Sequence, residues 1–277
     1  MAPENTNELY KSHPLRRETI LARIRNQRKS LDDISELDLA FDPQFAITDQ
    51  NHVGGIGFVV ELAKASGIHS ATRVLDLGCG LGGSMRVLSY LYGCKATGYD
   101  ASGERLTEAK ELTHLVKLEN LVEFKEADVM TCKVPNAQFD VIWGQSSWTH
   151  IQRKDEFLKK WADALKPGGT VAFEDLYLRR NADAGAGEAL ARFEADSMSK
   201  VVGLRKWKQI LADCGFAVTT EEDLSQELMN EERKLTRTDN AISNGTNPKE
   251  SEKTNLLLEL SEQGILGYFR LVAKHSG

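Results

Sequence analysis

Three observations predict an α/β fold, a largely parallel sheet with helices on both faces, for this 277-residue sequence. Between Arg73 and Leu88, a short apolar run (Val74-Leu75-Asp76-Leu77) meets four glycines, Gly78, Gly80, Gly82 and Gly83, and then a segment of helical period over 84–92. Further strand-length runs recur at 95–100, up to Ala127-Asp128, at 139–143 and at 170–174, with helix-length segments between them. Two more, at 216–220 and 267–274, complete a set of seven.

The elements follow in order. Residues 1–12 are polar, and 14–30 read as a helix begun by Pro14, with Leu21 and Ile24 on one side. Its basic residues, Arg16, Arg17, Arg23, Arg25, Arg28 and Lys29, read as a solvated face, with guidance of an acidic substrate as the sharper alternative. A short turn opens at Ser30, and Asp49-Gln50-Asn51-His52-Val53-Gly54-Gly55 leads into a helix over 56–66. Asp49, Gln50 and His52 offer three polar groups to a pocket, the alternative being that Asp49 caps the helix and His52 satisfies a local hydrogen bond.

The glycine segment allows sharp turning and close approach of a ligand, and the helix after it presents N–H groups and a positive dipole end. An anionic or zwitterionic cofactor fits that position. The loop 144–151 follows the fourth strand at the carboxyl end of the sheet, where open α/β folds bind ligands. It carries Gln145, Trp148 and His150: an amide, an aromatic face and a group that titrates near neutrality. Trp148 and His150 both face a chamber if the loop is extended; if it is helical, Trp148 packs in the core. The segment 155–165 is an amphipathic helix, 165–169 a turn, 181–187 a small-residue hinge or lid, and 189–202 and 204–214 are helices, the last closed by Gly215. The polar stretch 223–262 reads as two exposed helices parted near Pro248.

The length suits one domain, divided into an N-terminal helical cover (1–66), a cofactor-binding core (67–180) and a lid insertion with the last strands (181–277). No apolar run reaches the ~20 residues of a membrane span. A formal charge of −6 argues against a general nucleic-acid binder and leaves a small molecule as partner, with a homodimer left open. The four cysteines lack metal-ligand spacing, so no metal is expected, and they fit a reducing cytoplasm. Cys79 has no basic neighbour in sequence and reads as a packing residue.

The ordered motifs over Arg73 to Asp175 resemble those of the class I S-adenosylmethionine-dependent methyltransferases, and D-Q-x-H-x-G-G resembles the sarcosine and dimethylglycine N-methyltransferase branch. The resemblance implies a Rossmann-like seven-stranded fold with an antiparallel last strand and S-adenosylmethionine as cofactor. It implies that Asp76 with Gly78 and Gly80 holds the methionine end, Asp100 with Ala101 the ribose, Asp128 with Val129 the adenine, and that Gln50, Gly55 and Gln145 border the donor. Gln145 and His150 are the expected catalytic pair, and His52, Trp148 and Tyr177 the expected substrate contacts.

Methyl transfer from a sulfonium needs alignment and desolvation more than a nucleophile, and no G-x-S-x-G, H-E-x-x-H or Walker loop occurs. The expected reaction is therefore methylation of a small amine or amino-acid-like acceptor. The alternatives are an O-, S- or C-methyltransferase, or an enzyme that cyclises or cleaves the cofactor itself and releases methylthioadenosine. A nicotinamide oxidoreductase is disfavoured by Asp76, and a silent binding module by the retained Asp76, Asp100 and Asp128.

Overall fold

The computed structural model describes residues 15–27, 29–42, 47–180, 184–241 and 248–276, without side chains over 235–241 and 248–254. Seven strands form one sheet: β1 (Arg73–Leu77), β2 (Lys95–Asp100), β3 (Val122–Glu126), β4 (Phe139–Gln145), β5 (Leu165–Leu178), β6 (Phe216–Asp223) and β7 (Leu266–His275). Their spatial order is β3-β2-β1-β4-β5-β7-β6. The first five strands pair in parallel, and β7 enters antiparallel between β5 and β6, as expected. The chain order reverses between β1 and β4, so the carboxyl ends of those strands open a crevice for a ligand.

Ten α-helices are described: α1 (Arg17–Asn26), α2 (Glu36–Ala40), α3 (Gly55–Ser66), α4 (Gly83–Tyr92), α5 (Gly103–Leu115), α6 (Lys154–Ala162), α7 (Ala184–Asp196), α8 (Leu204–Asp213), α9 (Ser225–Ala241) and α10 (Pro248–Glu262). One side of the sheet packs Phe157, Leu158, Trp161, Trp207 and Leu211 from α6 and α8 against Leu75, Ile142 and Phe173. The other packs Val59, Leu62, Val87 and Leu88 from α3 and α4 against Val74, Val141 and Ala172. Helices on both faces explain why the central strands are apolar on both sides.

Three expectations change. The 165–169 turn is instead a bulge inside β5: Phe139 pairs with Leu165 but Val141 pairs with Thr170, and Gly168 takes φ 72° to absorb the extra residues. Of the lid expected over 181–202, residues 181–183 lie outside the described residues; the rest packs on α10, the start of β7 and the end of β5 through Phe193, Val201, Leu260, Leu266 and Leu178, and none of its described residues lines the cavity described below. Much of the basic stretch around α1 is bound within the protein. Arg16 pairs with Glu104 and Glu108, Arg17 with Glu111, and buried Arg23 donates to the carbonyls of Asp38, Leu39 and Phe41. These bonds fasten α1 to α5 and α2.

Candidate active site

At the crevice lies a cavity of about 170 Å³, walled by the glycine loop (Asp76, Gly78, Cys79, Gly80, Leu81), the start of α4 (Gly83, Ser84), the segment Asp49, Asn51, His52, and the segment Gln145, Ser146, Ser147, His150. Loop shape is fixed by backbone. Gly78, Gly80 and Gly82 all have positive φ, and the Gly78 N–H donates to the Tyr99 carbonyl at 2.8 Å, which closes the turn against β2. A Cβ on Gly83 would stand 2.4 Å from the Asp49 carbonyl, so only glycine lets the two walls meet.

Two buried carboxylates stand at this loop. Asp100 accepts hydrogen bonds from the Gly80 N–H (2.8 Å) and the Ser102 N–H (2.9 Å), which oppose the upward push of burial on its pKa. Burial, with the charge of Asp100 adding to it, pushes Asp76 up to about 8. A cation placed beside Asp76 would reverse that shift, so the site fits a ligand ammonium. Burial and both carboxylates also raise the Cys79 thiol well above its ordinary range, so it is no nucleophile.

The Asp49–His52 segment is held from below. Arg86, fully buried on α4, donates to Asp49 (2.7 Å), to Glu36 of α2 (3.1 Å) and to the Leu81 carbonyl (2.7 Å). Burial, with Asp49 beside it, raises Glu36 well above the usual carboxylate range. The Gln50 amide donates to Asp49 (2.6 Å), which turns its carbonyl to His52 Nε2 (3.1 Å), while His52 Nδ1 faces the Val53 carbonyl (3.0 Å). Both partners of the imidazole are acceptors, so a neutral ring satisfies one of them and an imidazolium both. Burial pulls the His52 pKa down, towards the neutral ring.

Gln145, also in the wall, is held at both ends of its amide. Its carbonyl accepts from Ser84 (2.7 Å) and the Trp143 indole (3.1 Å), and its amide donates to Glu174 (2.8 Å). Glu174 also meets Arg270 at 2.6 Å, and burial raises it to about 7 despite that partner. Gln145 is thus held as a strut of the wall on which His150 also lies. His150 does line the cavity, at the end of a 3-10 turn, Trp148–His150. Buried Lys154 donates to the carbonyls of Trp148 and Ile151 and fixes that turn.

Two substrate assignments are corrected. Because the turn is helical, Trp148 points into the core, stacked on Phe173 with centroids 4.5 Å apart, and its indole donates to the Leu77 carbonyl. Tyr177 packs edge-on against Phe269 in the same cluster. Asp128 and Val129 lie beyond the wall of the cavity, where Asp128 accepts from the Met130 N–H and the Val129 carbonyl from the Trp161 indole. Ala101 and Gly55 are likewise not among the lining residues. Sequence reasoning missed Asn51, Ser84, Ser146 and Ser147 as wall residues; polar side chains beside the expected motifs were the only signal for them. Among the described residues, no cluster of three or more His, Cys, Asp or Glu could hold a metal, and no helix is long and apolar enough to cross a membrane.

Fold and cavity together match what is expected of a class I S-adenosylmethionine-dependent methyltransferase domain. Residues 75–173 match the methyltransferase domain family. The chain is 32% identical over 171 residues to the glycine/sarcosine/dimethylglycine N-methyltransferase of Actinopolyspora halophila, covering 61% of this chain and 30% of that one. It is 35% identical over 123 residues to the 2-methyl-6-phytyl-1,4-hydroquinone methyltransferase of Synechocystis, covering 43% and 38%. The matches thus span about a third of these relatives' length. Among solved structures, a phosphoethanolamine N-methyltransferase 2 from Haemonchus contortus shares the fold with TM-score 0.74 at 18% identity, covering 98% of this chain and 60% of that one. A candidate sarcosine dimethylglycine methyltransferase from Galdieria sulphuraria does so with TM-score 0.72 at 19% identity, covering 80% and 85%.

Proposed function

We propose that this protein transfers the methyl group of S-adenosylmethionine to a small-molecule amine. The observation that carries the reading is the pairing of a glycine loop with two buried, cation-seeking carboxylates, Asp76 and Asp100, at the switch point of the sheet. The bound cofactor would supply an electrophilic methyl on a sulfonium. In this reading Asp76 receives its ammonium, the N-terminal turn of α4 its carboxylate, and Asp100 its ribose. Asp128 and the Val129 backbone, at the carboxyl end of β3, would border the adenine.

The chain's own residues then align and dehydrate the acceptor. His52 and His150 both line the cavity, and either can hold the proton that an amine gives up on methylation. An amine is favoured over a hydroxyl by the D-Q-x-H-x-G-G segment and by the N-methyltransferases among the relatives. Four free cysteines support a reducing compartment such as the cytoplasm. The test is to incubate the protein with S-adenosylmethionine alone and with pooled amines, and to identify the sulfur product. S-adenosylhomocysteine formed only with an acceptor is expected; methylthioadenosine formed faster than spontaneous decay without one would favour a cyclase or lyase.

A further inference from the structure

His150 ends a three-residue 3-10 turn, Trp148–His150, and the shape of that turn decides where its side chains go. A single turn does not hold itself, because it fixes several backbone dihedrals for very few hydrogen bonds. Its own bonds run from the His150 N–H to the Ser147 carbonyl (3.2 Å) and from the Ile151 N–H to the Trp148 carbonyl (3.0 Å). Two buried charged side chains add to them. Asp175, near the carboxyl end of β5, accepts the Thr149 N–H at 2.7 Å with one oxygen and the Leu176 N–H at 2.8 Å with the other. Lys154, at the start of α6, donates to the carbonyls of Ile151 (2.7 Å), Trp148 (3.0 Å) and Thr149 (3.4 Å). The Thr149 carbonyl also accepts the Lys200 N–H at 2.8 Å, from the segment after α7.

The carboxylate thus takes N–H groups of the turn and the ammonium its carbonyls, the signs that a helical turn favours at its two ends. The arrangement is costly. Burial lowers Lys154 to about 8 and raises Asp175 to about 6, and the attraction between the two charges offsets only part of either shift. Apolar side chains of similar size would fill both places without that cost. They would not choose between a turn and an extended loop. In the turn, Trp148 is buried on Phe173 while His150 lines the cavity; in an extended loop, residues two apart point to the same side.

We propose that Lys154 and Asp175 are positioning residues that lock the Trp148–His150 turn and so hold the His150 imidazole at the cavity. This rests on the methyl-transfer reading, in which His150 can take the acceptor's proton. Neither residue is among those that line the cavity, and both act through the backbone of the turn. Without them the turn exchanges with extended forms, and His150 faces the cavity for only a fraction of the time.

The test follows the His150 imidazole itself. The full chain, carrying nitrogen-15-labelled histidine, is titrated with S-adenosylhomocysteine and watched by NMR, with His150→Gln identifying the His150 signal. In the wild type S-adenosylhomocysteine should move that signal. Lys154→Met, and Asp175→Asn as a variant that keeps the side chain's size, should reduce the movement about fivefold or more, with S-adenosylhomocysteine affinity within about threefold of wild type. Leu158→Ala, a core substitution on the same helix, should lower the melting temperature and leave the movement intact. In the amine assay described above, Lys154→Met should lower kcat about fivefold or more in the wild type and less than about twofold in His150→Gln, the non-additivity expected of residues that act as one. A His150 signal that S-adenosylhomocysteine leaves unmoved in the wild type, one that moves fully in both variants, or a kcat loss that persists in His150→Gln overturns the proposal. Failure of S-adenosylhomocysteine to bind, or of every amine to be methylated, overturns the methyltransferase reading instead.

Discussion

On the glycine-loop side, the cavity draws on Asp76, residues 78–81, Gly83 and Ser84, with Asp100 bound behind Gly80, and its shape is set by φ and ψ at three glycines. On the opposite side it draws on His52, Ser146 and His150, backed by Tyr268 and Glu231, from segments far apart in sequence. The first side is a local backbone shape; the second is a set of side chains that exists only once the sheet and the cover helices are assembled. A backbone-built pocket needs particular residues at fixed spacing, whereas a chamber of side chains can be reached from many sequences.

The comparison breaks most sharply at Arg86, which joins the two sides by tying Asp49 and Glu36 to the helix that follows the glycine loop. Arg86→Met leaves two buried carboxylates without their cation and should cost about 3–5 kcal/mol of stability by chemical denaturation. A loss below about 1 kcal/mol would mean that the cover is held by its apolar contacts alone.

The pH dependence sharpens it next. Asp76, Glu174 and Asp175 are raised by burial to about 8, 7 and 6, so their folded forms bind more protons than the unfolded chain does. Such groups contribute stability that is fully present below the ordinary carboxylate range and is lost as pH rises through the folded values. The ligand-free protein should therefore melt at a lower temperature at pH 8 than at pH 5. His52, lowered by burial, acts with opposite sign inside this window as one group against three, and Lys154, lowered to about 8, does so above it. S-adenosylhomocysteine should flatten the slope, since its ammonium would hold Asp76 ionised. A melting temperature that rises from pH 5 to 8 in the free protein would contradict the burial argument.

The smallest effect belongs to Trp148, the residue that moved from the chamber to the core. Trp148→Phe keeps the ring contact with Phe173 and loses the bond to Leu77, so about 1 kcal/mol of stability should go. Acceptor KM should stay constant, and a rise of tenfold or more would return Trp148 to the substrate wall.

The same contrast explains what could be read before folding. The strand, glycine loop and helix around Asp76, the acid at Asp100 and the antiparallel last strand were legible because spacing and hydrophobic period are local or come through the family resemblance. Trp148 was ambiguous, since an extended loop and a 3-10 turn send its side chain to opposite places and the sequence permits both. The basic stripe of α1 pointed to an acidic substrate because its partners, Glu104, Glu108 and Glu111, lie about ninety residues away on α5. The 181–202 segment has the small residues of a lid, yet Phe193 and Val201 dock it on α10 and the end of β5. Glu231 gave no signal, because an acid in a charged helix looks solvated until Gly54 is placed against it.

The central claim is that the glycine loop with Asp76 and Asp100 binds S-adenosylmethionine, and calorimetry of S-adenosylhomocysteine against wild type and Asp100→Ala tests it most directly. The account predicts one site per chain, an affinity weakened in Asp100→Ala by about one to two kcal/mol from lost charge-assisted hydrogen bonds, and no competition by NADH. Equal affinity in the two proteins, or tight NADH binding at the same site, would contradict it.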